Sequence, residues 1–92
     1  MGRVTITLYG TLANIAGEKT VEVEASILKE AIAQLTAKYG KDFASRMYDE
    51  KGKPRRFINI YINGKDMRFL GNFDTKLNNE DKVSIIPAVG GG

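Results

Sequence analysis

The sequence predicts an α+β domain in which a mixed β-sheet is covered on one face by one main helix. Three observations lead to this prediction. Apolar and polar residues alternate in several short segments, which is typical of strands with one buried face. One longer segment, from Ser26 to Gly40, repeats its apolar residues at helical spacing. The 92 residues suffice for one small domain with a single core.

The first two strands are predicted at Val4–Tyr9 and Thr20–Glu24, where inward apolar residues alternate with polar ones. The intervening Gly10–Lys19 makes them an antiparallel hairpin with a long loop. Three apolar residues in this loop have the spacing of one helical turn under the edge of the core: Leu12, Ile15 and Ala16.

The main helix is predicted to begin after Ser26, a residue type that favours the N-cap position, and to stop at Gly40. Lys38 suits the negative end of the helix dipole. One stripe of the helix carries the apolar residues that face the sheet: Leu28, Ala31, Ile32, Leu35 and Tyr39.

The segment after the helix is less regular. Lys41–Glu50 has apolar residues at helical spacing, so a short second helix is one interpretation and an irregular connection the other. Lys51–Arg56 contains Gly, Pro and four basic residues, which indicates an exposed loop. We interpret this loop as solvated, with docking to an acidic partner as the alternative.

The C-terminal third again alternates. Phe57–Asn63 is a predicted strand, and Asn63-Gly64 is a strong signal for a tight turn because both residues tolerate positive φ. The remaining elements follow in order: a short strand near Asp66–Phe69, a connection over Gly71–Leu77 with a turn at Asp74-Thr75, a polar turn at Asn78–Asp81 and a last strand at Lys82–Ile86. Pro87 then blocks further pairing through its own nitrogen.

This order of elements predicts a β-grasp, or ubiquitin-like, fold with a right-handed crossover through the helix. We expect residues 1–87 to form the domain and residues 88–92 a flexible C-terminal glycine tail. A ferredoxin-like fold is the alternative, and it requires Lys41–Glu50 to be a fully packed helix. The uncovered sheet face is expected to present Thr5, Thr7, Asn59, Tyr61, Ser84 and Ile86, either as a docking surface or as ordinary scattered surface residues.

Composition excludes several classes of active site. The chain has neither Cys nor His, so it lacks a thiolate nucleophile, the usual general base near neutral pH and the commonest soft metal ligands. We therefore expect no metal site and no bound cofactor. The net charge of +3 is too mild to indicate nucleic acid. No apolar run approaches the ~20 residues that span a bilayer, and no signal peptide is visible, so we expect a cytoplasmic protein without membrane contact.

The tail Gly90-Gly91-Gly92 has the features of a reactive arm. Without side chains it can pass through a narrow channel and present its terminal carboxylate to another protein. A carboxylate is a poor electrophile and must first be activated. This chain has neither a phosphate-binding loop nor a nucleophile for that step, so a separate ATP-dependent enzyme is expected. A frayed terminus is the alternative interpretation.

Several stretches resemble the MoaD family, the small subunits of molybdopterin synthase. The similarity also includes the loop Leu12–Gly17 and the helix after Ser26, and it is most specific in the C-terminal third: Ile58-Asn59-Ile60-Tyr61-Ile62-Asn63-Gly64-Lys65-Asp66, Arg68-Phe69-Leu70, Asp74-Thr75-Lys76-Leu77, Asp81-Lys82-Val83, and Pro87 with the terminal glycines.

The resemblance implies a mechanism. An E1-like enzyme of the MoeB type would use ATP to adenylate the carboxylate of Gly92, and sulfur transfer would make it a thiocarboxylate. The carrier would then join a large subunit of the MoaE type in a heterotetramer and donate sulfur to a pterin precursor, forming the dithiolene that binds molybdenum or tungsten. Gly90 and Gly91 would thread the tail, and the docking positions would be Tyr61, Phe69, Ile86, Pro87 and Val89.

The alternatives concern the recipient and the class of protein. The same sulfur chemistry serves thiazole synthesis, tRNA thiolation and conjugation to protein lysines, and a binding module without a reactive tail is the alternative of another class. The MoaD family usually ends in two glycines after Ala, whereas this chain ends in three. If the last one is an addition, the reactive residue is Gly91.

Overall fold

The middle of the sheet pairs an early strand with a late one. The computed structural model describes residues 2–55 and 58–87. In it β1 (Gly2–Leu8) runs parallel to β5 (Lys82–Ile86). On the far side of β1 lies the antiparallel β2 (Thr20–Ala25), and on the far side of β5 lies the antiparallel β3 (Asn59–Ile62). The two-residue β4 (Lys65–Asp66) completes the order β2-β1-β5-β3-β4 and confirms the predicted mixed sheet.

The strand boundaries differ slightly from the prediction. β1 begins at Gly2, which pairs with Ala25, and ends before Tyr9 because Tyr9 precedes the first turn of a helix. β3 is shorter than predicted, since Asn63 already belongs to the turn with Gly64. Both residues of that turn have positive φ, 52° and 86°, as the Asn-Gly signal predicted. Phe57, predicted as the first residue of β3, lies outside the described residues.

A correction concerns the predicted strand at Asp66–Phe69. Only Lys65–Asp66 pairs with β3, and Met67–Phe69 turns into a 3₁₀ helix. The physical reason is a local cap, because Asp66 Oδ1 accepts a hydrogen bond from the Arg68 backbone N at 2.9 Å. A second 3₁₀ turn follows at Asn72–Asp74, within the predicted connection Gly71–Leu77 but slightly before the turn predicted at Asp74-Thr75.

Three helices cover one face of the sheet. α2 (Leu28–Tyr39) is the predicted main helix, and it ends at Gly40, whose φ of 87° is accessible mainly to glycine. α1 (Gly10–Ala16) is longer than the single turn predicted for the hairpin loop. α3 (Lys41–Met47) confirms the short second helix.

Another correction concerns the start of α2. The N-cap residue is Ile27, and no side chain caps it, so the prediction that Ser26 caps the helix is wrong. The Leu28 backbone N instead donates to Thr75 O at 2.9 Å, and the Leu77 backbone N donates to Ser26 O at 2.8 Å. A loop distant in sequence therefore binds the helix entrance.

The core lies between the helices and the sheet. Fully buried side chains of α2, α1 and α3 pack against the inward residues of β1, β3 and β5, and the most buried include Val4, Ile6, Leu12, Ile32, Leu35, Phe43, Ile60 and Ile85. The ferredoxin-like alternative is wrong, because α3 ends at Met47 after seven residues and the two central strands are parallel. None of the helices in the described ranges is long and apolar enough to cross a membrane.

Candidate functional site

The described part of the candidate site is the base of the tail. Val89, Gly90, Gly91 and Gly92, which the sequence assigned to threading, docking and activation, lie outside the described residues. The roles assigned to them stay predictions. What the structure places is the end of β5 and Pro87, from which these residues continue.

The base of the tail is held on both sides. Ile86, the last residue of β5, pairs with Asn59 of β3. On the other side, the Tyr9 backbone N donates to Ile85 O at 3.3 Å. The Pro87 ring lies against the start of α1, where a methyl group placed on Gly10 would be 3.3 Å from Pro87 Cγ. The position from which the tail departs is therefore fixed by two neighbouring segments.

The open face of the sheet carries the residues that its alternation predicted. Each of the six is half-buried, which places their side chains away from the core: Thr5, Thr7, Asn59, Tyr61, Ser84 and Ile86. The register brings Thr7, Ser84 and Tyr61 into one row across β1, β5 and β3. This face leads directly to the base of the tail.

Of the predicted docking residues, the structure brings Tyr61, Ile86 and Pro87 together. Tyr61 and Ile86 lie on adjacent strands of the open face, and Pro87 continues from Ile86. Phe69 lies apart, in the 3₁₀ turn after the edge strand, with 85% of its surface exposed. Leu70 beside it is 40% exposed, so the two residues form an exposed apolar tip next to the edge strand β4.

A polar cluster that the sequence analysis missed joins this tip to the base of the tail. Arg68 Nη2 lies 2.6 Å from Asp66 Oδ2 and 3.2 Å from Asn59 Oδ1. Hydrogen bonds from Arg68 lower the pKa of Asp66, and the same pairing raises the pKa of Arg68. The sequence signal was present in Asp66-x-Arg68, a spacing at which a carboxylate can accept from both the backbone and the side chain.

The opposite end of the open face is lined by charged and polar residues. A groove of about 570 Å³ lies there, with charges of both signs on its lining residues Arg3, Thr5, Glu22, Glu24, Asn79, Glu80 and Lys82. It is at the start of β5 and thus far along the strand from Pro87. Within residues 2–55 and 58–87, no group of three or more acidic side chains is arranged to hold a metal ion.

Comparison with known proteins identifies relatives along nearly the whole chain. The ThiS family matches residues 6–92. The sulfur carrier protein CysO of Mycobacterium tuberculosis is 40% identical over 92 residues, which cover 97% of this chain and 98% of that protein. Small archaeal modifier protein 1 of Methanosarcina acetivorans has a TM-score of 0.87 and 30% identity, with coverage of 100% and 98%.

A chain from the BexX/CysO complex of Amycolatopsis orientalis has a TM-score of 0.81 and 33% identity, with coverage of 97% and 99%. The resemblance to the MoaD family also has a structural counterpart. A putative molybdopterin converting factor, subunit 1, from Pyrococcus furiosus has a TM-score of 0.73 at 21% identity, which shows a shared fold. The family match and the identity to CysO together establish that this chain belongs to the ThiS family, whose β-grasp relatives include sulfur carriers and ubiquitin-like modifiers.

Proposed function

We propose that this chain is a sulfur carrier whose C-terminal glycine carries the sulfur as a thiocarboxylate. The observation that carries the proposal is the direct continuation of β5 through Pro87 into Gly90-Gly91-Gly92, in a chain related to CysO over nearly its full length. A reactive carboxylate at this position needs no side chain of its own. It needs a fold that holds the base of the tail and a surface that a partner recognises.

The activation takes place on a partner. An E1-like enzyme of the MoeB type binds ATP, and a carboxylate oxygen of Gly92 attacks the α-phosphorus and displaces pyrophosphate. A sulfur donor at the oxidation level of hydrosulfide then attacks the carbonyl carbon of the acyl-adenylate. AMP leaves with one carboxylate oxygen, and the thiocarboxylate remains. ATP belongs to the activating enzyme, and we place the reaction in the cytoplasm, where ATP is available.

The absence of Cys and His supports this division of labour. A carrier that is activated elsewhere has no need for a nucleophile or a general base near neutral pH. The glycines reduce steric hindrance around the terminal carbonyl, and Gly90 and Gly91 let the tail enter a narrow site. If the last glycine is an addition, Gly91 takes the role of Gly92.

The open face provides the docking surface. Ile86 and Pro87 lead into the tail, Tyr61 lies on the adjacent strand, and Phe69 adds an exposed aromatic side chain at the edge. Aromatic residues that a partner can bury completely are the commonest sources of binding energy in interfaces. Val89 would add an apolar side chain for the partner to bury. A partner that covers this face therefore holds the tail at its own active site.

For the recipient of the sulfur, we propose a CysO-like role first. The identity to CysO is 40% along nearly the whole chain, and a CysO relative at 33% identity comes from a complex with another protein, BexX. This chain would also form a complex with a partner protein, and we propose that this partner binds the tail in its active site and transfers the sulfur to its own small substrate.

The second candidate is the small subunit of molybdopterin synthase. It is favoured by the MoaD-like stretches around Tyr61 and Phe69 and by the shared fold with the Pyrococcus furiosus protein. In this case a MoaE-type subunit would bind the carrier in a heterotetramer and transfer the sulfur to a pterin precursor. Conjugation to protein lysines is the third candidate, because small archaeal modifier protein 1 is 30% identical.

One experiment tests the common step. The full chain is incubated with ATP, an E1-like enzyme and a sulfur donor, and its intact mass is measured. We expect a mass gain equal to the replacement of one oxygen by sulfur, and no gain in a variant without Gly91 and Gly92. Equal circular dichroism spectra of the two proteins establish that the deletion leaves the fold intact. An unchanged mass of the full chain contradicts the proposal and favours a binding module whose tail is dispensable.

A second experiment distinguishes the candidate recipients of the sulfur. The thiocarboxylated chain is mixed with a MoaE-type subunit and pterin precursor, and in parallel with a cell extract. Formation of a dithiolene supports the molybdopterin role, covalent attachment to extract proteins supports the modifier role, and sulfur transfer to a small acceptor other than the pterin supports the CysO-like role.

A further inference from the structure

Gly10 occupies an unusual position at the base of the tail. It follows Tyr9, the residue whose backbone N donates to Ile85 O, and it is the first residue of α1. Its φ of 56° lies in the left-handed region, where residues with a Cβ are disfavoured. A methyl group placed on it would lie 3.3 Å from Pro87 Cγ and 3.9 Å from Pro87 Cδ. The first distance is shorter than an optimal carbon–carbon contact of ~3.5–4.0 Å.

Gly17, directly after the other end of the same helix, provides an internal comparison. Its φ of 76° is also left-handed, and its backbone N closes α1 by donating to Ala13 O. A methyl group placed on Gly17 would meet no heavy atom within 4 Å. Gly17 is thus required only for its backbone conformation, whereas Gly10 is required both for its conformation and for the space that Pro87 occupies.

We propose that Gly10 is a positioning residue for the tail: the missing side chain lets the Pro87 ring seat against the start of α1, and this seat sets the direction in which the chain leaves β5. The inference rests on the proposed function, since direction matters only if the tail must reach a partner's active site.

The position of the Pro87 ring can set the direction of the chain because the backbone of Ile86 and the φ angle of Pro87 are both fixed. Ile86 is fixed by its pairing with Asn59, and the pyrrolidine ring fixes φ of Pro87 near −65°. A side chain on Gly10 would push the ring by a few tenths of an ångström. A partner site holds the reacting carbonyl to within a fraction of an ångström, and a misplacement of ~1 Å can reduce a rate by ~100-fold.

The test compares matched substitutions at the two glycines. Gly10→Ala and Gly17→Ala each place a Cβ on a left-handed backbone, but only the first brings that Cβ against Pro87. In thiocarboxylation by an E1-like enzyme, we expect Gly10→Ala to lower kcat roughly three- to tenfold with KM for the carrier within about twofold of the wild type. Gly17→Ala is expected to change neither parameter by more than about twofold.

A second pair protects the test against misfolding. Asn tolerates the left-handed region better than Ala, so Gly10→Asn and Gly17→Asn carry less backbone strain than the Ala variants, and only Gly10→Asn keeps the Cβ contact with Pro87. We expect the amide resonances of the residues after Pro87 to shift in Gly10→Asn and to stay in place in Gly17→Asn. This measurement needs no partner enzyme, so it reads out the contact even if the wild type is never thiocarboxylated, an outcome that would contradict the proposed function alone.

Removal of the Pro87 ring shows whether Gly10→Ala lowers kcat through its contact with that ring. Pro87→Ala eliminates Cγ and Cδ, the two atoms that a side chain on Gly10 approaches. In this background Gly10→Ala should lower kcat no further, because there is no ring left to displace. The proposal is overturned if Gly10→Ala matches Gly17→Ala in kcat, or if it lowers kcat by the same factor with and without the Pro87 ring.

Discussion

The carboxylate of Asp66 accepts two hydrogen bonds from the guanidinium of Arg68, with Oδ2 2.6 Å from Nη2 and Oδ1 3.1 Å from Nε. The same Nη2 reaches Asn59 Oδ1 at 3.2 Å. Asn59 in turn pairs with Ile86, the residue before Pro87. The edge strand β4, the central part of the open face and the base of the tail are therefore linked through one arginine.

The Asp66–Arg68 pair predicts a dependence of stability on pH. Hydrogen bonds from Arg68 lower the pKa of Asp66 from its ordinary value of 3.8. The pair therefore stabilises the folded state above that pH, and the stabilisation is lost as the pH falls through the lower pKa of the folded state. In urea unfolding from neutral pH down to acid, we expect the wild type to lose more stability below about pH 3.8 than Asp66→Asn.

Glu18 is the necessary control for that measurement. Its pKa is also lowered, chiefly by the hydroxyl of Tyr39 and then by Lys38, so it contributes to the same acid range. The comparison is made in a Glu18→Gln background as well. If the curves for the wild type and Asp66→Asn run parallel in both backgrounds, the ion pair has no part in acid stability.

Phe69→Ala is predicted to separate stability from binding. The side chain is 85% exposed, so its loss should change the free energy of unfolding by no more than about 0.5 kcal/mol. If the activating enzyme buries this ring, affinity should fall by about 2 kcal/mol, roughly thirtyfold in Kd. Titration calorimetry with the activating enzyme measures the second effect. Lys29→Ala, on the helical face, should leave the Kd unchanged, and equal Kd values for both variants would remove Phe69 from the docking surface.

Gly2→Ala is predicted to be destabilising although Gly2 is neither in a turn nor at positive φ. A Cβ there would lie 2.6 Å from the Asn79 backbone N, an atom that cannot rotate away. We expect a loss of about 1–3 kcal/mol in the free energy of unfolding. Arg3→Ala keeps both backbone hydrogen bonds of Arg3 to the turn, at 2.8 and 3.0 Å, and should stay within about 0.5 kcal/mol of the wild type. Equal stabilities of the two variants would show that the backbone of the turn at Asn79 shifts away from the added methyl group at little cost.

Leu35→Ala tests how tightly α2 is packed on the sheet. Leu35 is fully buried, so its truncation leaves a cavity as well as lost apolar contacts. We expect a loss of about 2–5 kcal/mol in the free energy of unfolding. Ala33→Gln, on the exposed side of the same helix, should change it by no more than about 0.5 kcal/mol. A loss below 1 kcal/mol for Leu35→Ala would mean that the helix moves in and fills the space. A cavity that stays open would instead cost ~24 cal/mol of stability for each Å³.

Several patterns that depend on neighbours in sequence were predicted correctly, although the local cap that Asp66 provides for the Arg68 backbone N was missed. The alternation in β1, β2 and β5 and the apolar stripe of α2 are consequences of which face each element buries. Asn63-Gly64 and Gly40 were predicted because few residue types accept their backbone conformations. These preferences act within a few residues, so a single sequence contains them.

Features that depend on distant partners were missed. Ser26 favours an N-cap by itself, but the backbone around Thr75 already satisfies the helix entrance. Thr75 is buried, and its hydroxyl is satisfied there because it donates to Asn72 O at 2.6 Å and accepts from Gly71 N at 2.8 Å. The seat of Pro87 on Gly10 likewise joins residues far apart in sequence. Only the assembled sheet brings such groups together.

The parallel pair of β1 and β5 has a consequence for how the protein is made. β5 forms only after every other strand has been synthesised, yet it occupies the position between β1 and β3. Until it arrives, the hairpin of β1 and β2 has no sheet to join on that side, and contacts of such large sequence separation form slowly. Nascent chains that stop before Lys82 therefore cannot complete the fold or offer its open face to a partner. In the proposed carrier role, a chain that lacks β5 would therefore present no docking face to the activating enzyme.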